Sequence, residues 1–432
     1  MRSGRELVSP GSSAAVTPAG VASPSGLSAS LQRAIGRRLR GAVGDAPISF
    51  VLPSGEELRG STQASVARIV FRDLRALLGA IGTSGDLGFG DAYADGRIEV
   101  EGDLLAFLES TYRAPERRGL LQRAARRWRG VRRRSNSLPG SRQNVHHHYD
   151  LGNDFYALWL DREMIYTCAY FPTLDATLEE AQLAKLEHVA RKLRMIPGET
   201  VVEAGCGWGA LALYMARRHG VHVRAFNISR EQIVFARERA RAEGMEGRVE
   251  FIEDDYRNVT GSCDVFVSVG MLEHVGPEHY ADLGRVIDRT LAVDGRGLLH
   301  FIGRNRAIEF SPWVQQRIFP GAYPPTLAEA AAVLEPANLS VLDVENLRLH
   351  YARTLEHWLA RFESRQYEVA RRFDERFVRT WRLYLAGSTA AFRTGSLQLF
   401  QILFARGSSN VVPWTRADLY SQGETGDPRG AL

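Results

Sequence analysis

The sequence predicts an α/β protein built on a doubly wound, mostly parallel sheet with an antiparallel edge strand. Three observations carry this. The stretch VVEAGCGWGALA, residues 201–212, reads as a strand, a glycine-rich turn and the start of a helix. Strands and helices then alternate, the order that gives parallel strands with crossover helices. The informative residues Glu203, Gly205, Gly207, Asn227, Asp255, Glu273 and His300 fall at or just beyond strand ends, where such sheets bind ligands.

The elements follow in order. Residues 1–30, rich in Ser, Ala, Gly and Pro, hold no continuous apolar run and are expected to be a disordered tail, not a secretory signal. Residues 31–112 read as a small α/β domain. LQRAIGRRL has helical spacing, ISFVLPSGEELRG is a strand, a turn and a strand, and VARIVF is a further strand. DLRALLGAI and DLLAFLEST are amphipathic helices, with a loop and short helix expected over Leu87–Gly96 between them. Residues 113–143 are dense in arginine, with Leu120, Leu121, Ala124, Ala125 and Trp128 at helical spacing. Two readings stand for this basic amphipathic helix: adsorption on an anionic lipid surface, or a solvated interdomain helix and linker. The aromatic interleaving of base-stacking modules is missing, so nucleic acid is not the expected partner.

Residues 144–407 form the main domain, and 408–432 a C-terminal tail. Its opening, NVHHHYDLGNDFYALWLDREMIYTCAYF, is dense in His, Tyr, Asp and Asn. Adjacent histidines point in different directions, so His146–His148 do not converge on one ion, and no metal is expected. LEEAQLAKLEHVARKLRMI is an amphipathic helix. Then come VHVRAFNIS, RVEFIEDDY, DVFVSVG and GRGLLHFIG as strands, with helices between. LSVLDVENL and LQLFQILFARG close the sheet, the second expected as its antiparallel edge. The turn itself has the pattern E-x-G-x-G-x-G, with Glu203 leading. This suits a nucleoside carrying an amino acid better than the pyrophosphate of G-x-G-x-x-G.

Composition narrows the class. A chain of 432 residues, 44% apolar, supports two to three domains with a real core. A net charge of +5 allows an anionic partner without requiring one. Cys168, Cys206 and Cys263 show no paired spacing, which argues against disulfides or a zinc site and suits a reducing cytoplasm. No apolar run reaches the roughly 20 residues that span a bilayer, so membrane contact is expected to be peripheral.

Nine ordered motifs now coincide: HHHYDLGNDFY, MIYTCAYF, GCGWGALA, ISREQ, DDYR, MLEHVGPEHY, LLHFIG, HYARTLEHW and AAFRTGSLQLFQILF. Together they resemble the bacterial cyclopropane-fatty-acyl-phospholipid synthases, and mycolic acid cyclopropane synthases share most of them. The resemblance is strong over 144–407 and weak over LGFGDAYADGRIEVEGDLLAFL. It implies a Rossmann-like class I methyltransferase fold. It also implies transfer of a methyl group from S-adenosylmethionine to a cis double bond of a phospholipid acyl chain, through a carbocation. Aromatic faces stabilise such a cation, and Tyr149, Tyr166, Tyr170, Phe171 and Trp208 stand near the site in sequence.

In that family a bound bicarbonate is the base that completes the ring. The resemblance places its holders at Cys168, Glu273, His300, Ile302 (through its backbone) and Tyr351. It places the cofactor against Tyr166 and Thr167 at the methionine end, Glu203 at the amino group, and Gly205 and Gly207 beneath the backbone. Asn227 and Gln232 fall at the ribose, and Asp255 and Tyr256 at adenine. The chain departs from the family twice: Glu203 stands where Asp is usual, and Asn227 where Thr is usual. The implied partner is an anionic phospholipid bilayer carrying unsaturated acyl chains, on the inner face of a bacterial membrane. Family members are often dimers, which makes a homodimer one expectation. Other outcomes remain open: a methylene or methyl-branched product, a small-molecule N-methyltransferase, or a lipid-binding protein that has lost catalysis.

Overall fold

The computed structural model describes residues 29–59, 61, 65–82, 85–113, 151–308, 310–410 and 415–420. The basic stretch beyond Arg113, the His146–His148 run, Tyr149, residues 1–28 and most of the C-terminal tail lie outside them. Two sheets organise the described residues. The smaller contains β1 (Ile48–Val51), β2 (Glu57–Arg59), β3 (Ala67–Phe71) and β4 (Ile98–Gly102), in the order β2-β1-β3-β4. Only β1 and β3 run parallel. β4, from RIEVEG, was not foreseen as a strand.

Between β3 and β4, where a loop and short helix are expected over Leu87–Gly96, a ten-residue helix runs over Gly85–Ala94. Its glycines look like loop composition, but contact requires them. A Cβ on Gly88 would meet the Gly79 carbonyl oxygen at 2.3 Å, and one on Gly90 would meet the Trp313 indole at 2.4 Å. A backbone in the first case and an indole ring in the second stand that close, so no larger residue fits. This helix also joins the small unit to the large one. Asp91 pairs with Arg317 at 2.7 and 2.9 Å, and Asp86 accepts from Ser311 Oγ at 2.9 Å. Such exposed pairs contribute about 0–1 kcal/mol each, so the buried Gly90–Trp313 contact does more of the holding.

The larger sheet holds β5 (Thr200–Ala204), β6 (His222–Asn227), β7 (Val249–Glu253), β8 (Cys263–Val269), β9 (Leu291–Gly303), β10 (Leu339–Asn346) and β11 (Gln398–Arg406). Their order is β10-β11-β9-β8-β5-β6-β7. β9 through β7 run parallel, while β11 is antiparallel to both its neighbours. The doubly wound class is therefore present, with one correction: the antiparallel strand lies one place in from the edge. The reason is visible in the residues. In QLFQILFAR eight of nine positions are buried, as an interior strand requires. LSVLDVEN is half exposed and forms the edge.

The sheet's order reverses between β5 and β8, which opens a crevice at their carboxyl ends. Helices Arg348–Ser364 and Glu375–Thr394 pack together at the β10–β11 side of the sheet. They enclose an aromatic cluster with Phe155, Tyr156 and Trp159. Each such ring stabilises the fold by about 1.5–3 kcal/mol when fully buried. Among the described residues no helix is long and apolar enough to cross a membrane.

Candidate active site

The glycine turn builds the first half of the site. Gly205, Gly207 and Gly209 have φ of +86°, +53° and +84°. Side chains rarely adopt these values. The N–H groups of Gly205 and Cys206 both donate to the Phe226 carbonyl on neighbouring β6, at 2.9 and 3.1 Å, which folds the turn onto the sheet. A Cβ on Gly209 would strike Phe251 at 2.5 Å, whereas one on Gly207 meets nothing within 4 Å. Gly207 faces open space. That space is a cavity lined by Tyr166, Thr167, Glu203, Gly205, Gly207, Asn227, Gln232, Asp255 and Tyr256, so all nine expected cofactor residues meet. Lys185, Trp208, Met271, His274 and Pro320 join them.

Glu203 ends β5 almost fully buried, and its Oε2 has no hydrogen-bond partner. Burial pushes its carboxyl up to about 8, against a smaller opposing pull from Lys185. An ionised carboxylate is costly there, and a hydrogen-bond donor is what its Oε2 lacks. Asn227 Nδ2 donates to Gln232 Oε1 at 2.7 Å and to the Gly207 carbonyl at 3.3 Å, tying β6 to the glycine turn. Asp255 lines the cavity, but its carboxylate is engaged by Arg257 at 2.8 and 3.1 Å. That leaves Asp255 less able to receive a further donor than its sequence position implied.

The second half is the closed one, with four of its five residues buried. None of Cys168, Glu273, His300, Ile302 and Tyr351 lines the cavity. They are nonetheless linked through short contacts. The Ile302 N–H donates to Glu273 Oε1 at 2.5 Å. Ile302 faces Leu399 across the β9–β11 ladder, and Leu347 donates to the Leu399 carbonyl at 2.9 Å. Cys168 Sγ lies 3.9 Å from the Leu347 carbonyl, which also receives the Tyr351 N–H at 3.1 Å. His300 sits two residues before Ile302 on β9, on the same face. Its Nδ1 meets Gln401 Nε2 at 3.0 Å, which assigns the ring proton to Nε2.

This buried set holds unmet polar atoms. Glu273 Oε2, His300 Nε2 and Gln401 Oε1 are buried without a hydrogen-bond partner. Burial pushes the Glu273 carboxyl up to about 7, holds His300 well below its usual value, and raises the Cys168 thiol. At neutral pH the set therefore offers an imidazole N–H at His300, while the Cys168 thiol is turned to the Ala169 carbonyl at 3.1 Å. The two halves share walls. Met271, His274 and Val275 line the cavity while Glu273, on the same short helix, turns toward Ile302; Thr167 lines it while Cys168 does not.

The aromatic wall differs in part from expectation. Tyr166 and Trp208 face the cavity, but Tyr170 and Phe171 do not. Tyr170 stacks between His188 and His350, and Phe171 against His357. Both are drawn off by the helix Arg348–Ser364 instead. Tyr166 is backed by residues the sequence did not single out: Tyr384, bonded hydroxyl to hydroxyl at 2.7 Å, and Tyr156, Trp159 and Trp358 within 5.5 Å between ring centres.

Known proteins resemble this chain. The pattern of the mycolic acid cyclopropane synthetases matches residues 137–402. The chain belongs to that family. A cyclopropane-fatty-acyl-phospholipid synthase of Escherichia coli is 37% identical, over 76% of this chain and 85% of that one. A probable fatty acid methyltransferase of Pseudomonas putida is also 37% identical, over 77% and 86%. The solved structure of a mycolic acid cyclopropane synthase complexed with SAH and CTAB is 29% identical, covering 61% of this chain and 98% of its own, with a TM-score of 0.59. This member of the synthetase family is accordingly an S-adenosylmethionine-dependent methyltransferase.

Proposed function

We propose that the protein methylates the cis double bond of an unsaturated phospholipid acyl chain and closes the product to a cyclopropane. The observation that carries this reading is the buried polar set of Glu273 and His300 beside Ile302, with Glu273 Oε2 and His300 Nε2 unpartnered. A methyltransferase acting on an amine has no need of buried, unpartnered polar atoms behind its cofactor cavity. An alkene does, because ring closure must remove a proton from a newly added methyl group.

The residues present fit the two groups that such a reaction uses. Glu203, with its unpartnered Oε2, and the open face at Gly207 suit the amino-acid end of S-adenosylmethionine. When bound, that cofactor supplies the methyl electrophile. Tyr166 and Thr167 would border the methionine end, Asn227 and Gln232 the ribose, and Asp255 and Tyr256 the adenine. The donor-rich set of Cys168, His300, Ile302 and Tyr351, with Glu273, suits a small oxyanion such as bicarbonate. When bound, bicarbonate supplies the base. The rings of Tyr166 and Trp208 face the developing cation. The enclosing aromatic cluster excludes water that would otherwise trap it. The N-terminal unit and the basic stretch 113–143 would bring this site to an anionic bilayer surface on the inner face of the membrane.

One observation favours a second outcome. The Pseudomonas putida relative is named a probable fatty acid methyltransferase, at the same 37% identity. The same site would then release a different proton and leave an unsaturated branch, either a methylene group or a methyl-bearing double bond. Mass spectrometry of lipids decides between them. Vesicles of cis-monounsaturated phospholipid are incubated with the protein and S-adenosylmethionine, with and without bicarbonate. A gain of one CH2 that resists mild hydrogenation and depends on bicarbonate supports the cyclopropane. A gain that does not resist hydrogenation supports the branch. No gain on lipid, with methylation of a soluble amine, sinks both.

A further inference from the structure

The helix Leu178–Leu193 carries a buried polar stripe that the site described above does not use. Gln182, Lys185, His188 and Lys192 fall at i, i+3, i+6 and i+10, on one helix face. Their exposures are 0%, 2%, 5% and 3%. Lysine is almost never buried this deeply unless it is paired. His188 and Lys192 are explained by one carboxylate, Glu345 on β10, at 2.7 and 2.6 Å.

The other two residues reach toward the site instead. Gln182 Nε2 donates to the Thr167 carbonyl at 2.9 Å and the Ile165 carbonyl at 3.4 Å. Lys185 Nζ donates to Thr167 Oγ1 at 3.1 Å and lines the cofactor cavity together with Glu203. One helical turn therefore grips the Ile165–Cys168 segment by two carbonyls and a hydroxyl. That segment contributes Tyr166 and Thr167 to the open half of the site and Cys168 to the closed half.

The charges around Lys185 are consistent with an active role. Asp161, Cys168 and Glu203 face it and favour its ammonium form, while burial pulls the amine down to about 8. Glu203 has Cys206 as its other titratable neighbour. On the far side, after burial itself, Lys185 and Lys192 help to keep the His300 ring neutral, against Glu345. A neutral ring retains both its acceptor to Gln401 and its free N–H.

We propose that Lys185, assisted by Gln182, is a positioning residue that sets the two halves of the site together. It fixes Thr167 and the backbone beside it, and from the same cavity wall its charge favours the Glu203 carboxylate that receives the cofactor's amino group. The inference rests on reading the cavity as the cofactor site.

Calorimetric titration of the full-length protein with S-adenosylhomocysteine between pH 6.5 and 9 tests it without turnover. Wild type is expected to bind more tightly as pH rises toward 8. Lys185→Met should bind about tenfold more weakly at pH 7.5 and move the midpoint up by about one pH unit, since an opposite charge at close range shifts a carboxyl by that much or more. Lys185→Arg should keep the midpoint. Gln182→Met should weaken binding with no change of midpoint. In steady state, Lys185→Met should raise KM for S-adenosylmethionine and lower kcat together.

A Lys185→Met protein with wild-type affinity and pH profile overturns the inference. So does a Lys185→Arg protein whose midpoint moves as far as that of Lys185→Met. Should the Met variant not fold, by near-ultraviolet circular dichroism, Lys185→Gln carries the same test. Wild type failing to bind S-adenosylhomocysteine at any pH would overturn the cofactor reading itself, a result distinct from a Lys185 failure.

Discussion

The two halves of the site are built on opposite principles. The open half is made by backbone: a turn with three left-handed glycines, two N–H groups folded onto β6, and strand ends whose side chains point into space. The closed half is made by side chains held from behind, with Glu273 on Ile302, His300 on Gln401, and Cys168 against the start of the Tyr351 helix. Backbone sites bind through geometry that many side chains leave untouched. Side-chain pockets hold polar atoms that are costly to leave unpaired. The open half should therefore tolerate substitution and mainly set affinity. The closed half should tolerate little and mainly set rate.

The largest effect tests that division directly. Glu273→Gln keeps shape and removes the charge and proton of a carboxyl that burial holds near 7. Loss of a positioned acid–base group costs about 10²–10⁴-fold in rate. The expected result is a fall of that size in kcat, while S-adenosylhomocysteine binds as to wild type by calorimetry. If binding falls with kcat, the halves are not separable and the comparison fails.

Next in size is a pH effect confined to the open half. Glu203 titrates near 4.5 when unfolded and near 8 in the folded protein. Between those values the folded state holds the extra proton, so this group's contribution to stability falls as pH rises toward 8. A bound ammonium group reverses this by favouring the carboxylate. Affinity for S-adenosylhomocysteine should thus drop by up to about tenfold per pH unit below 8. The thermal shift it produces should be larger at pH 8 than at pH 6. An equal shift at both values would mean that Glu203 does not meet the amino group.

The same contrast explains what could be read from sequence. The open half lies in short local patterns: the glycine turn, Glu203 two residues before it, and Asn227 and Asp255 at the ends of the next two strands. Local backbone rules suffice to place them. The closed half draws on residues from 168 to 351, and only the family resemblance connected them. Lys185 was hidden because a lysine in an amphipathic helix is ordinarily solvated, and nothing local says that its face is buried. Tyr170 and Phe171 were misplaced for the opposite reason, since nearness in sequence to Tyr166 did not mean the same neighbours. The glycines of the Gly85–Ala94 helix imitated a loop because contact with Gly79 and Trp313, not turn geometry, requires them. β11 was placed at the edge because its continuous apolar run signals burial but not how many strands lie beyond it.

Gly207→Ala sharpens the comparison within the open half. Its φ of +53° costs a non-glycine residue about 1–2 kcal/mol. The new methyl enters the space the cofactor needs, because no protein atom lies within 4 Å of it. KM for S-adenosylmethionine should rise by about tenfold, the equivalent of 1.4 kcal/mol, with kcat largely kept. Loss of kcat at saturating cofactor would show that the turn serves the chemistry as well as binding.

Asn227→Thr should be the mildest change, and it probes the family difference at that position. Asn227 now bridges Gln232 Oε1 and the Gly207 carbonyl through one amide nitrogen, and its Oδ1 accepts from the Ser229 N–H at 3.2 Å. A threonine hydroxyl offers one donor in place of two, on a shorter side chain. It can keep one of those contacts but not both. A lost neutral hydrogen bond is worth about 0.5–1.5 kcal/mol net, part of which water recovers at this half-buried position. KM should change by about threefold or less, with no effect on the closed half. A change in product, from ring to branch, would instead mean that the seating of the ribose reaches through the shared wall at Thr167 and Cys168 to decide which proton leaves.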